Sequence, residues 1–229
     1  MTRVRTVGDM STERVSLREV KEEIYRALRK AGYSWGVSTA AGRVAAAEQV
    51  LWGTGVLSIL GDVTRWRGSK RQPVMKDRTG ERALDSRGAG HVLTGLSAFV
   101  IAAGRPEKTL HVRGVVADKE WACVAWDIHL SSGRSFVWDS TAPGQAGAHS
   151  VNALGDLVSH PEGRPLWDGS GPKGRGSGVS YREVSGGETV LAAQERTDAL
   201  REALTSGVVV DSVQWSTLMA NSRKFLVPE

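Results

Sequence analysis

Cysteine is almost absent from this chain of 229 residues, which contains one, Cys123. A single thiol excludes an internal disulfide and the usual zinc sites built from several cysteines, and it suits a reducing compartment. The first ten residues are polar and charged and lack the apolar segment of a signal peptide. No apolar run approaches the roughly 20 residues that span a bilayer. We therefore expect a cytoplasmic protein without a membrane segment.

Phenylalanine and tyrosine are also scarce, with three of each, whereas tryptophan occurs eight times. Tryptophan should therefore supply most of the aromatic packing, with a partner for each indole N–H. Hydrophobic residues make up 40% of the chain and charged residues 24%, which predicts a packed core and argues against disorder. The net charge of +5 permits nucleic acid, acidic lipid or anionic metabolites as partners without selecting one.

Two helices are predicted near the N-terminus. Ser16-Leu17-Arg18-Glu19 has the pattern of a capping box, and apolar residues then recur at helical spacing as far as about Ala31. Gly32 is placed to end this helix in the left-handed conformation. A second helix should span about residues 37–52. We expect Trp35, between the two helices, to anchor the pair to the core.

The second helix is rich in small side chains over residues 40–47. A neighbouring backbone can approach such a helix closely, so we predict that it is central. Gly53 and Gly55 should close it.

The rest of the chain predicts a mixed architecture. Residues 61–90 are polar and basic, which is typical of a long loop or weak strands. Partial alternation in segments 110–116, 121–130 and 135–139 predicts an antiparallel meander with a hairpin loop at 131–134. The remaining predicted elements are helices at 91–103, 151–158, 192–205 and 211–225, with a strand at 179–184.

The predicted fold class is therefore α/β (α+β). The N-terminal helix pair would pack on a mostly antiparallel central sheet, with further helices at the C-terminal end. We treat residues 1–229 as a single domain, with a possible internal boundary in loop 61–90 or loop 141–178.

Acid/base candidates lie in the segment that we predict as the central strand. Side chains alternate along a strand, so Cys123, Asp127 and His129 would share one face. Asp127 and His129 are then candidates for general acid/base catalysis. The simpler alternative is that this polar row is the solvent face of an antiparallel sheet.

A basic segment at residues 65–78 is the candidate anion site. It contains the four cations that we assign to anion binding, namely Arg65, Arg67, Lys70 and Arg71. Trp66 within it could also stack a nucleic-acid base. No recognisable nucleic-acid module surrounds it, and a solvated loop is the plain alternative.

The remaining motifs do not support the assignment of a function. Residues 169–174 match the letters of a dinucleotide fingerprint, but the buried strand and the helix that this motif needs are not predicted around them. The histidines show no metal-ligand spacing. We assign neither a cofactor nor a metal from the sequence.

The helix junction resembles a bacterial family of unknown function. Its members begin with a Ser-Leu-x-Glu helix, followed by a Gly-x-x-Trp-Gly junction and an Ala-Gly helix. This chain matches these features at residues 16–20, 32–36 and 40–43, and matches the end of that family at Arg223 and Val227-Pro228. The resemblance implies no reaction.

The same N-terminal pattern is similar to the malate/lactate dehydrogenase family that lacks a Rossmann fold. That family opens with a helix, a glycine turn and an Ala-rich helix, then a Ser-His-Gly segment with a functional histidine. Here Trp52-Gly53-Thr54-Gly55 follows the second helix, with no histidine nearby. The resemblance implies kinship at the level of the helical unit.

Three functions remain open from the sequence. The first is a small-molecule metabolic protein, either an enzyme or a binding protein, for a carboxylate or phosphate metabolite. The second is a non-catalytic accessory subunit of a catabolic enzyme, or a homo-oligomer, in which tryptophan residues serve an interface. The third is nucleic-acid binding through residues 65–78.

Overall fold

The computed structural model describes most of the chain. The described residues are 11–64, 73–78, 81–104, 109–115, 120–140, 148–160, 176–181 and 186–223.

Seven α-helices lie within these residues. They are α1 (Leu17–Lys30), α2 (Trp35–Trp52), α3 (Gly55–Thr64), α4 (His91–Ala103), α5 (Trp121–Ser132), α6 (Ala193–Ser206) and α7 (Ser212–Arg223). The predictions for α1, α2, α4, α6 and α7 are confirmed. The helix α3 and the helical state of residues 121–132 were not predicted.

The described strands form two sheets. The strands are β1 (Thr12–Val15), β2 (Val74–Arg78), β3 (Glu81–Asp85), β4 (Thr109–Arg113), β5 (Phe136–Ser140), β6 (Ala148–Val151), β7 (Leu157–His160), β8 (Gly176–Tyr181), β9 (Glu188–Leu191) and β10 (Val208–Asp211). β1 and β10 form an antiparallel ribbon. The other eight form one sheet in the order β2-β3-β4-β8-β5-β6-β7-β9.

The large sheet is mostly antiparallel, as predicted. Only β3 and β4 run parallel among its described pairings, and α4 is the crossover between them. α4 packs on β4 and β8, α5 packs on β6, and α2 packs on both of these helices. The N-terminal helix pair therefore reaches the sheet through α4 and α5.

Aromatic side chains hold α4 and α5 to the sheet. The ring of Phe99 on α4 makes edge contacts with Trp121 of α5 and with Phe136 and Trp138 of β5, at centroid distances of 5.2 to 5.6 Å. All four side chains are fully buried. Edge-to-face pairs add to the stability that burial alone gives, so this cluster is the junction between the helical layer and the sheet.

The N-terminal junction follows the predicted caps but uses a different anchor. Ser16 and Glu19 form a capping box, and Gly32 is left-handed at φ 85°. Tyr33 is buried, whereas Trp35 is 68% exposed. The prediction that Trp35 anchors the helix pair is wrong, because Trp35 begins α2 on its solvent side and Tyr33 enters the core.

The small residues of α2 permit close helix packing, as predicted. A Cβ at Gly42 would lie only 2.9 Å from the backbone oxygen of Lys21 on α1, so the two backbones are nearly in contact. Gly53 is left-handed at φ 71° and ends the helix, but Gly55 begins α3.

Residues 121–130 form α5, so the predicted strand is wrong. Every residue from Trp121 to Trp126 is buried, which shows that this part of the helix is enclosed on all sides. A helix enclosed in this way has no polar stripe, so its hydrophobic pattern resembles that of a buried strand. Gly133, left-handed at φ 66°, ends the helix where a hairpin loop was predicted.

Two further predictions differ from the structure. Residues 151–158 contain the end of β6, a turn and the start of β7 instead of a helix. The turn forms because Asn152 Oδ1 accepts hydrogen bonds from the backbone N–H groups of Leu154 and Asp156. For residues 61–90 we predicted a long loop or weak strands; β2 and β3 are strands within this segment, but its first residues form the end of α3.

The close contact at Gly42 gives a stability prediction. Gly42→Ala should lower the free energy of unfolding by about 1–3 kcal/mol, because the new methyl group forces α1 and α2 apart. Gly36→Ala on the same helix is the matched control, since a Cβ there meets nothing within 4 Å. That control should be neutral or stabilising by up to about 1 kcal/mol. Urea denaturation measures both, and equal effects would contradict the packing argument.

Candidate functional site

Three helix ends meet at a partly buried polar cluster. Glu48 lies near the C-terminal end of α2, Thr54 directly precedes α3, and His91 is the first residue of α4. A Cβ at Gly55 would lie 1.8 Å from the backbone oxygen of Ala45, so only glycine lets α3 begin this close to α2.

Glu48 is the centre of the cluster. Its Oε2 lies 3.0 Å from Nε2 of His91, and its Oε1 accepts a hydrogen bond of 2.8 Å from the hydroxyl of Thr54. The carboxylate side chain has no exposed surface, whereas the His91 side chain is 25% exposed. The arrangement is a fully enclosed carboxylate that orients an imidazole reaching the surface.

The hydrogen bonds decide which ring nitrogen of His91 is available. Glu48 accepts a hydrogen bond from Nε2, so we assign a proton to that nitrogen. Among the residues that the structure describes, no group forms a hydrogen bond with Nδ1. In neutral His91, Nδ1 therefore carries the lone pair that can take a proton from another molecule.

The charge of His91 is favoured despite its burial. Desolvation opposes the charged ring, but the hydrogen bond to Glu48 and the negative charges of Glu48, Glu120 and Asp62 outweigh it. The pKa of His91 is consequently raised above its ordinary value. A carboxylate paired with an imidazole in this way is a general arrangement for acid/base chemistry.

Neighbouring contacts fix the backbone of His91. The indole N–H of Trp121 donates to the backbone oxygen of His91 at 2.9 Å. Asp62 on α3 accepts a hydrogen bond of 2.8 Å from the backbone N–H of Gly90, and a Cβ at Gly90 would lie 2.5 Å from the other carboxylate oxygen of Asp62. α3 and α5 thus hold the first residue of α4 in place.

Cys123 lies close to this cluster, but its thiol is unreactive. It is 2% exposed. Burial, reinforced by the charge of Glu48, raises the pKa of Cys123 well above its ordinary value. A buried protonated thiol is a poor nucleophile.

The structure does not bring the predicted acid/base residues together. Asp127 and His129 are two residues apart on α5, so their side chains diverge by about 200° around the helix. Asp127 accepts two hydrogen bonds from Arg43 at 2.8 and 2.9 Å, and Nδ1 of His129 bonds the backbone oxygen of Arg134 at 2.9 Å. The prediction that these two side chains share one face was wrong, because the segment is a helix and not a strand. Their catalytic role stays a prediction.

The predicted anion-binding residues Arg65, Arg67, Lys70 and Arg71 lie outside the described residues, as do residues 169–174. Their roles stay predictions.

The sequence held one signal that would have pointed to the cluster. Glu48 is the only acidic residue of α2, the helix predicted to be central, and a lone buried carboxylate needs a partner. His91 could not be matched to it, because the two residues are 43 positions apart.

No group of three or more His, Cys, Asp or Glu side chains in the described part of the chain could hold a metal ion. No helix that the structure describes is both long enough and apolar enough to cross a membrane.

Comparison with known proteins finds likeness in structure alone. No protein-family model and no curated protein matches the chain.

Several solved structures share the fold over nearly the whole chain. The malate dehydrogenase of Entamoeba histolytica is 10% identical, with 96% of this chain and 99% of that chain covered and a TM-score of 0.58. A dehydrogenase of Sinorhizobium meliloti is 9% identical, with coverage of 93% and 100% and a TM-score of 0.63. The malate dehydrogenase of Pyrococcus horikoshii OT3 is 10% identical, with coverage of 98% and 99% and a TM-score of 0.58.

At these identities the likeness concerns the fold. It confirms the structural resemblance to malate dehydrogenases and extends it from the helical unit to nearly the whole chain. The resemblance to a family of unknown function stays a prediction.

The His91–Glu48 pair predicts a pH-dependent stability. Because the pKa of folded His91 is raised above 6.5, the pair stabilises the fold fully below that pH. This contribution is lost as the pH rises through the raised value. Wild type should therefore lose stability relative to His91→Gln above about pH 6.5, by at most about 1.4 kcal/mol per pH unit. Urea denaturation from about pH 5.5 to about pH 8.5 measures this, and parallel profiles would contradict it.

Burial of Cys123 predicts slow thiol labelling. Ellman's reagent should modify the folded protein at least about 100-fold more slowly than the urea-unfolded protein, because the thiol must first become exposed. A double variant, Cys123→Ser with Ser131→Cys, places one thiol at an exposed position of the same helix and should react at once. Equal rates for the two folded proteins would show that Cys123 is accessible.

Proposed function

We propose that this protein is an enzyme that acts on a small carboxylate metabolite, with His91 as the acid/base group. The observation that carries this proposal is the hydrogen-bonded series of Thr54, Glu48 and His91, in which the enclosed carboxylate orients a partly exposed imidazole.

His91 would exchange a proton with the substrate through Nδ1. In the neutral state Nδ1 accepts a proton from a substrate hydroxyl, and in the charged state it returns a proton to a substrate oxygen. Glu48 stabilises the imidazolium ion and fixes the ring, and Thr54 fixes the carboxylate. Glu48 is thus a positioning residue, because it acts through His91.

A carboxylate substrate is proposed for two reasons. First, two of the fold neighbours are named as malate dehydrogenases, and malate is a 2-hydroxy dicarboxylate. Second, a basic segment follows α3 in the sequence. Asp62 on α3 bonds Gly90, the residue before His91, and Arg65 follows Asp62 by three residues. This order in the sequence supports Arg65 as an anion-binding residue of the protein.

The test combines ligand binding with turnover. Malate, lactate, oxaloacetate and pyruvate would be assayed by thermal shift and by turnover with nicotinamide cofactors, since fold neighbours are named dehydrogenases. We expect His91→Asn to lower turnover by about 10²- to 10⁴-fold while carboxylate binding persists. Glu48→Gln should also move the pH–rate profile to lower pH, because the charge that raises the pKa of His91 is removed.

Asp127→Asn and His129→Asn are the discriminating controls. Both residues lie on α5, and our proposal expects turnover within about twofold of wild type for each, since neither contacts His91. Loss of turnover in these variants with normal activity of His91→Asn would move the site to α5. Absence of both binding and turnover with every carboxylate tested would overturn the proposal.

A non-catalytic accessory subunit remains the second candidate, and one observation favours it. Trp35 is 68% exposed at the start of α2, and exposed tryptophan is enriched at interfaces. The small-residue helix no longer supports this candidate, because α2 packs within the chain. Size-exclusion chromatography with light scattering tests it: Trp35→Ala should dissociate an assembly that wild type forms.

A further inference from the structure

A groove of about 540 Å³ lies apart from the His91 cluster, between α6, the end of α2 and the ribbon of β1 and β10. This volume falls in the range of small-molecule sites. Ala199 and Ala203 form the α6 wall, and their small side chains leave the space open. Three charged side chains also line the groove, namely Arg14, Glu202 and Asp211.

The guanidinium of Arg14 is positioned but has unused donors. Its Nη1 donates to the backbone oxygens of Ser206 and Gly207 at 2.9 and 3.3 Å, which places it at the C-terminal end of α6. Its other two nitrogens form no hydrogen bond with any residue that the structure describes. A guanidinium carries five N–H donors, so donors remain for a ligand.

The two carboxylates also keep unused acceptors. Oδ1 of Asp211 accepts from the backbone N–H groups of Val213 and Gln214 at 3.0 and 2.8 Å, while its Oδ2 has no partner in the described part of the chain. The carboxylate of Glu202 forms no hydrogen bond or ion pair there either. Opposite charges thus line one groove without forming an ion pair with each other among the contacts of the described residues.

We propose that this groove binds a small zwitterion of the amino-acid class. The ligand carboxylate would pair with Arg14, for which two-oxygen anions are the matching partners, and the ligand ammonium would pair with Glu202 and Asp211. A ligand with a single charge would leave the opposite charge in the groove unmatched.

Gln49 connects this groove to the His91 cluster. Its Nε2 donates to the backbone oxygen of Val209 in the groove wall, and its Oε1 accepts from the backbone N–H of Val56 on α3, both at 2.9 Å. Gln49 follows Glu48 in the chain. A bound zwitterion would therefore be separated from the start of α3 by the side chain of Gln49. The proposal does not depend on the function proposed above.

The test measures thermal stabilisation of the full chain by each of the twenty protein amino acids at about 10 mM. For every amino acid that stabilises, the matching des-amino acid and the decarboxylated amine are measured as well. We expect the zwitterion to raise the melting temperature and both single-charge analogues to fail. Analogues that stabilise equally well, or twenty amino acids without effect, would overturn the proposal.

Variants locate the binding. Arg14→Gln and Glu202→Gln should each weaken the affinity by about tenfold or more, and Ala199→Leu should weaken it by narrowing the groove. Arg201→Gln is the matched control, because Arg201 lies on α6, is exposed and pairs with Asp198 outside the groove. Normal affinity in Arg14→Gln and Glu202→Gln would place the ligand elsewhere. His91→Asn should bind the amino acid normally, which separates this site from the proposed catalytic one.

Discussion

The burial of the Glu48 carboxylate is the constraint on which the surrounding structure depends. A carboxylate without exposed surface is tolerated only when its oxygens are hydrogen-bonded, and here each oxygen has one side-chain partner. Those partners are the first residue of α4 and the residue before α3. The hydrogen bonds that this buried carboxylate requires therefore fix where α3 and α4 begin relative to the end of α2.

That arrangement is possible only because the neighbouring backbone positions are stripped of side chains. Glycine at 55 lets α3 begin at a distance from α2 that any Cβ would prevent, and a Cβ at Gly90 would displace the carboxylate of Asp62. The tight packing and the polar cluster are consequently one feature: helices held this close exclude water from Glu48, and exclusion of water strengthens its hydrogen bonds.

Local signals in the sequence were sufficient for the capped helices. Ser16 with Glu19, Gly32 and Gly53 each act within a few residues, so their structural effect is independent of the rest of the fold. The prediction for residues 121–132 was wrong for the opposite reason. Their hydrophobic pattern reflects burial on all sides and does not distinguish a helix from a strand. With that error the predicted pairing of Asp127 and His129 lost its basis. The pair of Glu48 and His91 could not be read from the chain, since the tertiary contact of α2 with α4 creates it.

The pairing of β1 with β10 has a consequence for how the molecule forms. Arg14 contacts Ser206 across 192 positions, and Ser222 bonds Glu23 across 199, so β1 and the face of α1 that packs on α7 acquire these partners only when almost the whole chain is available. Contacts of such high sequence separation slow folding. During synthesis, the part of the apolar face of α1 that packs on α7 would stay exposed until α7 is made, a state in which chaperones bind and in which aggregation competes with folding.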